Sequence, residues 1–99
     1  MKYEVVIAKS AREDFKELDA RRRSDVKHAL RVHLEGAPRQ ESRSRVKRLK
    51  GLRQPQYRLR VEDVRVFYDV DDRQRRVEVL GFALKPGAAD WLEEHGVPE

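Results

Sequence analysis

Three arginines in the second half of the chain, Arg58, Arg60 and Arg65, have the spacing at which guanidinium groups converge. Arg58 and Arg60 alternate with Tyr57, Leu59 and Val61, so in an extended strand the two arginines share one face and the apolar residues the other. The next alternating stretch, Val64-Arg65-Val66-Phe67-Tyr68-Asp69-Val70, follows after only Glu62-Asp63. A two-residue loop there predicts an antiparallel hairpin with Val61 opposite Val64, Arg60 opposite Arg65, Leu59 opposite Val66 and Arg58 opposite Phe67. Like charges facing each other on a sheet are destabilising by up to roughly 1 kcal/mol, so packing gives no reason to gather them. A phosphate relieves that repulsion, because guanidinium forks hold phosphoryl oxygens two at a time. An aromatic ring beside them, Phe67, is what single-stranded RNA uses for stacking. The plainer reading is an ordinary exposed sheet on which Asp69, Glu78 or the turn acids pair with the arginines, with Phe67 lying under the C-terminal segment.

The charge distribution agrees with a polyanion partner. The 99 residues carry 23 Lys and Arg against 18 Asp and Glu, a net charge of +5, and the pI is about 9.8. Between Arg39 and Arg60 stand nine cations (Arg39, Arg43, Arg45, Lys47, Arg48, Lys50, Arg53, Arg58 and Arg60) and one anion, Glu41, a net +8, which leaves −3 for the rest. Charge by itself fits RNA, DNA or an acidic protein equally. Without cysteine, neither disulfides nor thiolate metal ligands are possible. His28 and His33, five apart and about 140° around an α-helix, do not share a metal, and no metal or other cofactor is expected. Nor is there a Gly-rich phosphate loop or a nucleophile elbow. Residues 1–9 lack a signal-peptide pattern and no stretch approaches a membrane span, so a soluble cytoplasmic chain is expected.

The elements that must position the arginines read as one α+β domain over residues 1–99, in the order β-α-α-β-β-β-α. Residues 2–8 (KYEVVIA) are a strand. Ser10 and Glu13 have capping-box spacing ahead of a helix carrying Ala11, Phe15 and Leu18. Asp19 offers the N-cap of a second helix with Val26, Leu30 and Leu34, ended by Gly36. These two helices form an αα-hairpin. A polar loop, residues 36–45, and the stretch Val46–Leu52 then lead to a three-strand antiparallel meander whose last member is Val77–Phe82, with a bend or bulge at Gly81-Phe82. Residues 88–95 (AADWLEEH) form a last helix, whose Trp91 and Leu92 either anchor it on the sheet or belong to a partner surface. Helices on one face of a mostly antiparallel sheet is the economical packing.

Over nearly its whole length the sequence resembles the RelE/ParE toxin superfamily. The resemblance lies in KYEVVIAKSAREDFKEL, in VKRLKGLRQPQYRLRVEDVRVFYDVDD and in RRVEVLGF, the middle piece being the specific one. It implies a compact toxin neutralised by a cognate antitoxin protein. For RelE-like members it also implies entry into the ribosomal A site and metal-independent cleavage of messenger RNA. The family's basic residues of the hairpin strands fall on Arg58, Arg60 and Arg65, where they bind the RNA backbone and stabilise charge on the scissile phosphate. Lys47, Arg48, Lys50 and Arg53 become ribosomal RNA contacts, with Phe67 beside them.

RelE-like toxins follow the last strand with a basic segment and then a proton-transferring Tyr or His. Here residues 81–89 read GFALKPGAA, where Lys85 alone can join the catalytic group. Arginine is a poor general base. Two alternatives therefore stand beside the nuclease: a ParE-like toxin that poisons DNA gyrase by protein contact, and a catalytically weak relative acting as a binding module.

Overall fold

A computed structural model describes residues 2–99. The elements are β1 (Glu4–Ile7), α1 (Lys9–Glu17), α2 (Ala20–Ala29) continued by a π-helical turn (Leu30–Leu34), β2 (Val46–Arg48), β3 (Leu52–Gln54), β4 (Tyr57–Val61), β5 (Val64–Asp71), β6 (Arg76–Leu84), a 3-10 turn (Lys85–Gly87), α3 (Ala88–His95) and β7 (Val97–Pro98). Five strands form the main sheet in the order β1-β6-β5-β4-β2, and β3 pairs with β7 apart from it. The fold is α+β, and β4, β5 and β6 form the expected antiparallel meander. β1 instead runs parallel to β6, from Glu4 opposite Arg76 to Ile7 opposite Val79.

The core lies between this sheet and the first two helices. Leu59, Val61, Val64, Val66, Tyr68, Val70, Val77 and Val79 point inward from the strands and meet Ala11, Leu18, Val26, Ala29, Leu30 and Leu34. α1 packs chiefly on β6 and α2 on β4, and the Phe15 and Phe82 rings meet at 5.4 Å between centroids. α3 does not join them: its Trp91 stacks on Phe67, on the other face of the sheet. The expectation of all helices on one face is corrected accordingly, because Gly81 leaves room on that other face for the Trp91 ring against Phe67.

Two local expectations meet different outcomes. Asp19 does cap α2, accepting from the Arg22 N–H at 2.9 Å. Ser10 does not cap α1, which begins at Lys9 with Ala8 as its N-cap. The Ala8 N–H bonds the Val79 carbonyl at 2.9 Å, so the parallel ladder runs straight into the helix and leaves Ser10 inside its first turn.

The polar loop before β2 is tied down. Tyr68 donates its hydroxyl to the Pro38 carbonyl at 2.7 Å. The Ser42 hydroxyl accepts from the N–H groups of Arg45 and Val46, both at 3.1 Å, and the Glu41 carboxylate accepts from the Arg48 N–H at 2.8 Å. The loop thereby closes the β2 edge, whose open backbone groups would otherwise invite another strand.

Candidate nucleic-acid interface

The hairpin that carries the three arginines has the register read from the sequence. Val61 lies opposite Val64, Arg60 opposite Arg65, Leu59 opposite Val66 and Arg58 opposite Phe67. The turn is Glu62-Asp63, with Glu62 at φ 54°. β2 extends the same surface, since Lys47 lies opposite Arg58 and the Arg60 N–H bonds the Arg45 carbonyl at 2.8 Å. Arg45 and Arg60 also line, with Ser44 and Glu62, a pocket of about 150 Å³.

The three guanidiniums differ in setting. Arg60 is exposed and Arg58 half-buried, with a buried Nε that has no hydrogen-bond partner. Arg65 is 6 % exposed and is the one charged member of the buried set among the described residues. Its Nη1 donates to the carbonyls of Glu62 at 2.9 Å and Val64 at 3.2 Å, which orients the fork along the turn. No carboxylate lies within ion-pair distance of Arg58, Arg60 or Arg65 among the described residues. Burial, and then the neighbouring charge of Arg60, lowers the pKa of Arg58 from the ordinary arginine value. Burial, then Arg58 and Arg60, lowers that of Arg65. Both stay cationic, since arginine is not deprotonated in proteins. A desolvated cation beside two others is strongly relieved by an arriving anion.

Two of the acids that could neutralise these arginines are engaged elsewhere, while Glu62 lines the pocket with Arg45 and Arg60 without reaching ion-pair distance. Asp69 accepts from the Gln56 N–H at 2.7 Å and the Gln54 side chain at 2.8 Å, and Asp63 binds Arg22. The ordinary paired surface is therefore not what the hairpin presents.

Other residues singled out from the sequence scatter. Lys47, Lys50 and Arg53 are exposed, Lys50 in the turn before β3 and Arg53 within it. Arg48 leaves the group: it lies opposite Tyr57, on the apolar side of β4, with its guanidinium 5.5 Å from that ring's centroid. Its Nη1 donates to the carbonyls of Leu49 at 3.1 Å and Gln56 at 2.8 Å. Phe67 shares the arginine face but is 0 % exposed, covered by Trp91 at 4.5 Å between centroids and 12° between planes. It offers no free ring to a base, and the expectation that it lies under the C-terminal segment is the one that fits. Lys85 is exposed at the start of the 3-10 turn, where its N–H bonds the Asp63 carbonyl at 2.7 Å beside the hairpin tip.

The seat of Trp91 is Gly81. A Cβ on Gly81 would come within 2.1 Å of Trp91 Cζ2, and the register shift that leaves Leu80 as the extra residue of β6 lies next to it. The glycine in the strand pattern was the signal for this close approach. Arg45 was missed as a member of the arginine face, because the pairing of β2 with β4 could not be read from three residues.

His28 and His33 both line one groove, together with Asp25, Ala29, Val32, Arg45, Val61 and Glu62. The π turn after α2 replaces the α-helical spacing on which their separation was argued. Burial, then Arg45 and His28, lowers the pKa of His33. No group of three His, Cys, Asp or Glu placed to hold a metal occurs among the described residues, and no helix is long and apolar enough to cross a membrane.

Residues 5–83 match the family model described as the ParE toxin of type II toxin-antitoxin systems, parDE. No curated protein matches the chain. Among solved structures, it is similar to a chain of the RelBE2 toxin-antitoxin complex of Mycobacterium tuberculosis, with 23% identity and a TM-score of 0.63 over 85% of this chain and 92% of that one. A chain of the archaeal RelE-RelB complex of Pyrococcus horikoshii OT3 gives 21% identity and a TM-score of 0.62 over 86% and 97%. A mutant of the E. coli toxin RelE in the free state gives 18% and 0.62 over 95% and 93%. At such identities the likeness is one of fold. The family match runs from within the first strand through both N-terminal helices and the whole arginine hairpin, and the chain belongs to the RelE/ParE toxin superfamily as a toxin of a type II toxin-antitoxin system.

Proposed function

We propose that this toxin is a RelE-like, ribosome-dependent endoribonuclease that cuts messenger RNA without a metal and so inhibits translation in the cytoplasm. The observation that carries the reading is that Arg58, Arg60 and Arg65 share one sheet face with no carboxylate at ion-pair distance among the described residues. In the reaction the 2′-oxygen attacks the adjacent phosphorus, the new O–P bond forms and the P–O5′ bond breaks. The products are a 2′,3′-cyclic phosphate and a 5′-hydroxyl; the 2′-hydroxyl loses a proton and the leaving oxygen gains one. Negative charge grows on the non-bridging oxygens, and oriented guanidiniums with no internal acid to satisfy hold it. Lys85, beside the hairpin tip, is the candidate for proton transfer or a further cationic contact. Lys47 and Arg45 extend this face toward ribosomal RNA, and the exposed Lys50 and Arg53 are further candidates for RNA contact from the β3 segment.

A cognate antitoxin is the second partner. Two of the similar solved structures are toxin-antitoxin complexes, and an acidic, amphipathic segment suits the net +8 of residues 39–60. Co-purification with the neighbouring gene product and relief of growth arrest check this.

Inhibition of DNA gyrase by protein contact is the second reading. It is favoured by the ParE family match, by the covered Phe67 and by the absence of Tyr and His from residues 81–89. Translation in vitro with primer extension on the message, run beside a gyrase supercoiling assay, separates the two. Cleavage at A-site codons with supercoiling untouched supports the nuclease. Intact message with blocked supercoiling overturns it.

A further inference from the structure

The hairpin tip is built without the residues that would shape it unaided. Two-residue hairpin turns with positive φ ordinarily use glycine or asparagine, whereas here Glu62 holds φ 54°, a conformation that surroundings must impose. A contact from α2 grips the neighbouring turn residue, Asp63. Arg22 donates from Nε to Asp63 Oδ1 at 3.0 Å and from Nη2 to Oδ2 at 2.5 Å, a two-pronged grip, while its Nη1 holds Asp19 Oδ2 at 2.9 Å. Asp19 in turn caps α2 through the Arg22 N–H. The helix start and the hairpin tip are thus joined by one guanidinium.

The same turn meets the arginine face on its other side. The carbonyls of Glu62 and Val64, which flank Asp63, receive Arg65 Nη1, and the Asp63 carbonyl receives the Lys85 N–H at 2.7 Å. A turn that rocks carries both groups with it. We propose that Asp63 and Arg22 are positioning residues, which act through the Glu62-Asp63 turn to fix the Arg65 guanidinium, and Lys85 beside it, for the scissile phosphate. This rests on the nuclease reading. It assigns a role in the site to a helix on the far side of the sheet, and to an exposed aspartate that touches no substrate.

The test is a rate cycle on programmed ribosomes with Asp63→Ala, Arg22→Met, Arg65→Ala and the doubles of Asp63→Ala and Arg22→Met with Arg65→Ala. If the two residues act through Arg65, each slows single-turnover cleavage about tenfold or more in the wild-type background, with ribosome affinity unchanged. In the Arg65→Ala background the same changes slow it little further, although they lower the melting temperature equally in both. Restoration of most of the rate by Asp63→Glu supports the same conclusion, since a longer carboxylate can regain Arg22. An equal slowing in both backgrounds, or none in either, overturns the proposal. The Arg65 Nε–H resonance reports independently of activity: it should become more mobile in Asp63→Ala and stay ordered if the turn does not hold it. Message left uncut by the wild-type protein would remove the nuclease reading, and the resonance would still decide whether Asp63 orders Arg65.

Discussion

Two sets of arginines in this chain look alike in sequence and differ in whether an acid or an aromatic ring meets the guanidinium. Arg22, Arg39 and Arg48 have their guanidiniums engaged within the protein. Arg39 reaches Asp72 at 2.7 Å, the Val70 carbonyl at 3.0 Å and the Tyr57 hydroxyl at 3.4 Å, lies 5.8 Å from the Tyr57 ring centroid and thereby holds the loop before β2. Arg58, Arg60 and Arg65 have no acid partner among the described residues, and the donors they do use go to two backbone carbonyls of one turn. Position in the cationic segment therefore does not tell a free guanidinium from an engaged one. The neighbours do, because a half-buried guanidinium stripped of water must be satisfied by the protein or by something that arrives.

Removing a member of the engaged set should cost stability. Arg39→Ala is expected to lower the unfolding free energy by about 2–3 kcal/mol, because the charged hydrogen bonds and the packing on the Tyr57 ring disappear together. Urea unfolding measures this, and an unchanged midpoint would place Arg39 with the binding set. Arg58→Met should do the reverse. It keeps an apolar stem, removes a buried Nε without a partner and one of three facing charges, and should raise stability by about 1 kcal/mol while slowing cleavage. Loss of stability would mean that Arg58 has a protein partner.

The engaged set also predicts a pH dependence. Hydrogen bonds from Tyr3 and Arg39 hold the Asp72 carboxyl below the usual carboxylate range, and the hydrogen bond from Arg22, with its charge, does so for Asp63. A depressed folded-state pKa contributes stability that is fully present above the unfolded value, about 4, and is lost as pH falls through the folded value. Acid unfolding should begin below about pH 4, and Arg39→Ala should flatten that limb. A limb of the same slope in the variant would count against the Asp72 contact. The smallest effect is expected at the rim: Lys47→Glu and Lys50→Glu should leave the fold intact and weaken ribosome association in a salt-dependent way. Unchanged association at low salt would take this segment out of the interface.

The hairpin register was legible because Tyr57, Leu59 and Val61 alternate cleanly with arginine and two turn residues fix the pairing. The bounds of α3 were legible too, between Gly87 and Gly96. β2 and β3 were not, since three residues carry no period, and the parallel pairing of β1 with β6 joins segments some seventy residues apart. Alternation assigned Phe67 to the arginine face but could not tell exposure from cover by Trp91, although Gly81 held the hint. Arg48 shows the same limit, since its face depends on the pairing of β2 with β4. Most of the site's geometry was local to one hairpin, and what hid in the sequence was whatever a distant element brings to it.

The central claim, that Arg65 holds the phosphate with an oriented fork, is tested most directly by Arg65→Lys. Lysine keeps the charge and loses the planar fork. Ribosome association should stay near the wild-type value, while single-turnover cleavage on programmed ribosomes falls at least about tenfold, in line with the loss of a preorganised donor, and the melting temperature moves little. Cleavage at the wild-type rate by Arg65→Lys would contradict the account.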